Sequence, residues 1–289
     1  MAAFTLVLRA TLEIWPLGVA GSLSRLITLS VLGAWVLSRG NGWRRLMPGR
    51  AAGKVIAMGA ISIAINLLLF GSLIWTTATN HALLFRLDLI FVVLIGALLH
   101  LERIGWKPLV LLPVMLAGVA LVLGVQNLDP QPHMIGDAMA VLAALFFAAN
   151  AFLIRGILQT MDEESTALYN HGISTLGFLA IAFGGNQWAA AANAFESPQA
   201  WLWLVVLGVS AALTLPLYYA ALRRMSVWKL RTWLLLTPVV VAGVEWLGWG
   251  TQFGGLQILG AALVLGGLLV LIRWEWREAS PIVGSGRKS

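Results

Sequence analysis

The sequence predicts an all-α integral membrane protein, with about ten transmembrane helices in two inverted five-helix repeats. Three observations lead there. The first is composition: of 289 residues, 60% are hydrophobic and only 11% are charged. Mean hydropathy is +0.87. A soluble domain carries about a quarter charged residues, so a chain this apolar has the bilayer as its natural solvent. The second is a series of apolar runs, each long enough to span. The third is the spacing of the basic residues between those runs.

A helical span needs about 20 mostly apolar residues. Candidate spans cover roughly 2–18, 21–38, 54–75, 80–100, 107–125, 136–158, 166–184, 201–222, 228–248 and 254–274. Turn formers separate them: Gly40-Asn41-Gly42, Asp129-Pro130-Gln131-Pro132 and Ser197-Pro198. Asp162-Glu163-Glu164 reads as a solvated turn. Sixteen of the 19 basic residues fall in alternate loops or the C-terminal tail: Arg39 to Lys54, Arg103 and Lys107, Arg155, Arg223 to Arg231, and Arg273 onward. The opposite loops hold none. Basic residues stay on the cytoplasmic side during insertion, so both termini are expected in the cytoplasm, with the chain in a bacterial-type inner (plasma) membrane. Trp188, Trp201, Trp203, Trp228, Trp246, Trp249, Trp274 and Trp276 cluster at span ends, as interfacial anchors do.

Composition also excludes classes. With no cysteine there is neither a disulfide framework nor a thiolate metal site. The formal charge of +7 does not point to nucleic acid, because the basic residues punctuate apolar segments and form no stripe. Met1 to Leu8 has no basic stretch of the kind that opens a cleavable signal peptide.

The chain resembles itself at an offset of about 149 residues. LFGSLIWTTA (69–78) sits against YYAALRRMSV (218–227), and the run 93–124 parallels 241–271 within a residue of slip. Each half then has five spans, and an odd number per half inserts the second half upside down. The expected organisation is a first repeat over 1–125, an outer linker over 126–135, a second repeat over 136–274 and a tail over 275–289. Inverted repeats mark transporters that bind substrate near the midplane where the halves meet.

Three basic residues lie within spans: Arg9, Arg25 and Arg86. Arg86 and Asp88 sit two apart in ALLFRLDLIFVVL (82–94). On a continuous helix they point about 200° apart and do not pair. Arg86 is then able to snorkel to the outer surface, whereas the short Asp88 is not. A buried charge near mid-membrane is costly and faces the bundle interior or a wet cavity. Asp88 is thus a candidate proton or substrate-amine site, a structural partner of Arg25, or a protonated bystander. Arg86 is a candidate substrate-carboxylate contact, a snorkelling group or a structural pairing partner, and Arg25 a binding or packing group. Arg9 and Glu13, four apart, suggest a local ion pair. Asn66 and Asn150 read as interhelical glue or site residues. Pro216 and Pro238 are expected to interrupt the eighth and ninth spans, freeing carbonyls that can line a cavity. Tyr218 or Tyr219 is a candidate for the path. His81 and His171 are read as interfacial, Glu245 as a rim residue, Glu102 as a helix-end ion pair beside Arg103, and Gly260, Gly266 and Gly267 as close-packing positions.

Taken with the second-span arginine in SLSRLITLSVLGAWVL (22–37), LHLERIGW (99–106), GDAMAVLAALFFAANAFLIRGIL (136–158), Pro238 in LLLTPVVVAGVEWLGWG, and GLQILGAALVLGGLLVL (255–271), the chain resembles the EamA-type carriers of the drug/metabolite transporter superfamily. The resemblance implies ten spans and a secondary carrier of small organic metabolites, often amino acids moved outward. Two departures stand out. Arg9 matches Arg155, but only 8 residues precede it, so the first span is short, as from a downstream start or a truncation. Where the family often has proline in the fourth span, this chain has Asp88, opposite Thr237-Pro238.

The expected function is therefore alternating-access transport, with an exporter of amino acids or related compounds in the lead and an importer of a metabolite or vitamin as the alternative. The sequence contains no phosphate-binding G-x-x-x-x-G-K-[ST] loop, which leaves a proton gradient through Asp88 or the substrate's own gradient to drive it. A membrane-embedded enzyme is a rival class, but neither H-E-x-x-H nor G-x-S-x-G occurs. A non-transporting receptor on the same fold is another. No cofactor or metal is expected. The expected partners are a small-molecule substrate, the bilayer and, in one assembly, a second copy as a homodimer.

Overall fold

A computed structural model describes residues 7–8, 10–38, 46–124, 134–249 and 254–279. The expected Arg9–Glu13 pair, the 126–133 part of the linker and the tail beyond 279 fall outside these. The described residues are all-helical, and seven helices are long and apolar enough to cross a membrane. The chain is a multi-pass membrane protein.

The helices are α1 (Leu17–Ser38), α2 (Ala52–Trp75), α3 (Ala78–Phe85), α4 (Asp88–Leu98), α5 (Trp106–Leu123), α6 (Met134–Ile157) and α7 (Glu163–Gly184). After two single-turn helices, α8 (Gln187–Ala190) and α9 (Ala192–Phe195), come α10 (Pro198–Arg224), α11 (Val227–Leu234), α12 (Leu236–Trp249) and α13 (Gly255–Ala279). Local chemistry starts several of them. Thr77 caps α3 by accepting from the Asn80 N–H at 3.1 Å, and Ser197 caps α10 by accepting from Ala200 at 3.3 Å, with Pro198 in the first turn. The acidic run expected as a turn is a helix start: Asp162 accepts from the Ser165 N–H at 2.7 Å and caps α7.

Two expected spans differ from continuous helices. The fourth divides into α3 and α4 at Arg86-Leu87, where Arg86 N–H reaches Leu83 O and Leu87 N–H reaches Leu84 O. The ninth divides into α11 and α12 at Leu235, whose N–H reaches Thr232 O. These are i→i−3 bonds, a tight turn within a helical path that often marks a hinge. The half-helices Ala78–Phe85 and Val227–Leu234 start and end 149 residues apart (227 − 78 and 234 − 85). Pro216 does not interrupt the eighth span, because α10 runs through it for 27 residues. Pro238 sits in the first turn of α12, where its missing N–H has no helical partner to lose.

Packing follows small residues. Helix α2 lies against α6 and α7, α1 against α7 and α10, and α5 against α13. A Cβ added at Gly260 would meet Gly118 O at 2.5 Å, and one at Gly118 would meet Gly260 O at 2.8 Å. The α5 and α13 backbones approach closely for that reason. Gly267 is close-packed on Met115, whereas Gly266 faces open space, so it is not a packing position. Trp228 is buried in the core, while Trp201 and Trp246 are exposed.

Candidate functional site

A cavity of about 260 Å3 lies among α1, α2, α6, α7, α10 and α11. Arg25 of α1 and Arg231 of α11 bring guanidinium groups to its wall. Ser62, Asn66, Asn150, Asn170 and His171 add neutral polar groups, and Thr214, Tyr218 and Tyr219 of α10 add hydroxyls. Ile65, Leu69, Phe147, Ile154, Ala211 and Leu215 supply apolar wall. No carboxylate lines it among the described residues.

Arg231 is 3% exposed, although its sequence position placed it with the basic loop residues. Its guanidinium packs on the Phe147 ring at 3.9 Å, donates to Phe147 O at 3.3 Å, and meets Asp88 Oδ2 at 3.4 Å. Its Nε is buried with no hydrogen-bond partner. Asp88 therefore pairs with Arg231, not with Arg25.

The break in the fourth span explains why the charges of RLD are tolerated. Arg86 caps the C-terminus of α3 and Asp88 opens α4. A helix presents unpaired carbonyls at its C-terminus and unpaired N–H groups at its N-terminus, so a cation suits the first and a carboxylate the second. Arg231 lies in the last turn of α11, again at a negative end. Arg86 is half-buried, and its Nε is enclosed without a partner, which does not fit a side chain snorkelling into water. The turn between the two residues removes the continuous-helix geometry on which their separation was expected, and Arg86 lies within the electrostatic field of Asp88.

Arg25 donates through Nε to Ser174 Oγ at 3.0 Å and through Nη1 to Gly21 O at 3.4 Å, and it stacks over Phe178 at 3.9 Å. Arg25 and Ser174 are themselves 149 residues apart. Asn150 Nδ2 donates to Ser62 Oγ at 3.2 Å, while its Oδ1 is buried and unpartnered. Asn170 donates to the Tyr219 hydroxyl at 2.8 Å. The Tyr218 hydroxyl and both ring nitrogens of His171 are buried without partners. His171 is thus an interior residue, not an interfacial one. His81 does find a partner, Ser72 Oγ at 2.5 Å.

Of the residues singled out from sequence, Arg25, Asn66, Asn150, Tyr218 and Tyr219 meet at the cavity. Asp88 reaches it through Arg231. Arg86 and Pro238 do not line it. Arg231, Asn170, Ser62 and His171 complete the wall. Arg231 carried a usable signal, since it falls inside the apolar run 228–248.

Glu102 joins separate elements away from the cavity. It accepts from the Val227 N–H at 2.6 Å and the Trp228 N–H at 3.1 Å, the first amides of α11, and pairs with Arg155 at the end of α6. Its partner is therefore Arg155, not the adjacent Arg103.

Residues 134–273, which hold α6 through most of α13, match the EamA-like transporter family. That stretch is a little under half of the chain, and over it the chain is similar to this transporter family. An uncharacterized transporter of Synechocystis sp. is 24% identical to this chain over 213 residues, or 70% of the chain. The chain spans 60% of that relative's length. A solved crystal structure shares the fold with a TM-score of 0.78, covering 96% of this chain and 94% of its own, at 19% identity.

Proposed function

We propose that this chain is a secondary transporter that moves small organic metabolites outward by alternating access, and is not an enzyme. The cavity carries the reading. It lies between helices drawn from both sequence halves, and several of its buried polar atoms have no protein partner. An unpaired buried polar atom is costly, and a polar substrate relieves that cost. The two halves are read as inverted repeats, 1–125 and 136–274. In support, the half-helices α3 and α11 share one offset, and Arg25 touches the residue 149 positions away. Only positions on a twofold axis meet their own repeat image. The basic loops assign the Glu102–Arg155 end to the cytoplasm, and the contacts of Glu102 with α11 then brace that side. Outward movement is the direction the family resemblance favours.

The test is reconstitution in proteoliposomes with a panel of metabolites of different charge, with and without a pH gradient. Saturable movement of at least one compound supports transport. A rate raised by the gradient and lost in Asp88→Asn assigns the coupling to a proton at Asp88, whereas gradient-independent rates leave the substrate's own gradient as the drive. No movement across the panel refutes the reading.

A further inference from the structure

We infer that the cavity selects a small organic carboxylate carrying no compensating ammonium group, with Arg231 as its clamp and Asp88 as the resident carboxylate it competes with. The inference rests on the carrier reading above and names its substrate class.

Charge balance leads to it. Two guanidinium groups, Arg25 and Arg231, line the cavity, and no carboxylate does so among the described residues. Arg25 is satisfied by a hydroxyl, a carbonyl and a ring, all of them neutral. Asp88 is shared, lying against Arg231 at 3.4 Å and within the field of Arg86. Arg231 and Arg86 thus share one aspartate, and Arg25 has no acidic partner among the described residues, inside a membrane bundle where unbalanced charge is expensive. An anion in the cavity offsets the surplus. An ammonium group would add to it, and the nearest carboxylate found among the described residues, Asp88, is already committed to Arg231.

Geometry agrees. Charge-assisted N–H···O bonds close to about 2.7–2.9 Å, yet the polar contacts of Arg231 stand at 3.3 and 3.4 Å. Its Nε is buried and unused. A guanidinium that is 3% exposed, stacked on Phe147 and loosely held by its partners, keeps the capacity to bind a carboxylate through two parallel bonds. The Asp88 carboxylate stands at ion-pair distance, 3.4 Å, from one end of that fork, so an incoming carboxylate of the same shape can displace it. Around this point the Tyr218 hydroxyl, Asn150 Oδ1 and His171 offer neutral hydrogen-bonding positions, and Ile65, Leu69 and Leu215 accept a carbon body.

The experiment compares four ligands that share a 3-methylbutyl body: isocaproate, its uncharged amide isocaproamide, the zwitterion leucine, and the cation isoamylamine. Purified full-length chain in detergent is unfolded thermally with each, followed through its 14 tryptophans. Isocaproate is expected to raise the midpoint in proportion to the logarithm of its concentration, with the amide and the amine inert and leucine weaker. Arg231→Gln should weaken the apparent affinity for isocaproate about tenfold or more, as expected for loss of a charged bidentate contact. Arg231→Lys, which keeps the charge without the fork, should fall between. Asp88→Asn should hold or tighten isocaproate binding, because the competitor is gone. Equal or greater stabilisation by leucine or isoamylamine overturns the inference, and so does loss of isocaproate binding in Asp88→Asn. The proteoliposome panel separates the two readings. Movement of an amine or zwitterion without isocaproate binding leaves the carrier and removes the carboxylate site. Isocaproate binding without movement of any compound does the reverse.

Discussion

Replacing Glu102 by alanine takes one acceptor from three donors at once. The Glu102 side chain is 3% exposed, so water does not reach in to substitute. Two of the donors are the first amides of α11, held at 2.6 and 3.1 Å, and the third is Arg155. Each stranded buried N–H costs about 1–3 kcal/mol. Arg155 is 33% exposed and can be rehydrated, so its share is small. Ser226 precedes α11 with a buried, unpartnered Oγ, which can turn to cap one of the freed amides. The net expectation for Glu102→Ala is therefore about 2–3 kcal/mol. Glu102→Gln keeps one acceptor oxygen but loses the charge and sets an amide NH2 against one of the donors, for about 1–2 kcal/mol. Arg155→Gln should cost less than about 1 kcal/mol. Reversible unfolding of the solubilised chain by titration with dodecyl sulfate, read by tryptophan fluorescence, measures all three. An alanine variant within about 0.5 kcal/mol of the parent, below the range for even one stranded amide, would show that Glu102 does not cap α11.

The α5–α13 crossing offers an internally controlled pair. Gly260→Ala should destabilise by about 1–3 kcal/mol, because its Cβ meets Gly118 O at 2.5 Å, while Gly266→Ala should be neutral or stabilising, since nothing lies within 4 Å of it. Equal effects in the same titration would refute the close approach. Removing Asp88 strands two arginines, whereas removing Arg231 leaves Asp88 near Arg86. Asp88→Asn should therefore cost more than Arg231→Gln, and the double variant less than the sum of the two. Strictly additive losses would mean that the pair does not interact. Thr28→Val should cost about 1 kcal/mol through loss of the 2.8 Å bond to Gly208 O that joins α1 to α10. No change in unfolding would place that hydroxyl outside the interface.

What the sequence revealed and concealed here has physical causes. Apolar runs and their punctuation made the helices legible, because a span must satisfy its own backbone. The break in the fourth span was hidden, since Arg86-Leu87 contains neither glycine nor proline. The charges were themselves the signal: a cation followed two residues later by an acid suits a helix end followed by a helix start. Arg231 was misread because counting basic residues by loop treats every arginine near a span end as hydrated, and burial depends on what packs against it, here Phe147 of α6. The wall residues Ser62, Asn170 and His171 are individually ordinary, and only the meeting of α2 and α7 with α10 brings them together. Pro216, by contrast, looked like an interruption and is carried within an intact helix.

The Arg25–Ser174 bond, 3.0 Å long, bears on how such a bundle can move. In a carrier of two inverted repeats, the inward and outward states are the same shape with the roles of the halves exchanged. A pair such as 88 and 231 then trades its distance with its image pair, 82 and 237. The pair 25 and 174 is its own image, so the exchange returns the same distance. That contact can persist through the whole cycle as a fulcrum. Probes at 25 and 174 would report a constant ruler length, while probes at 88 and 231 would report the swing.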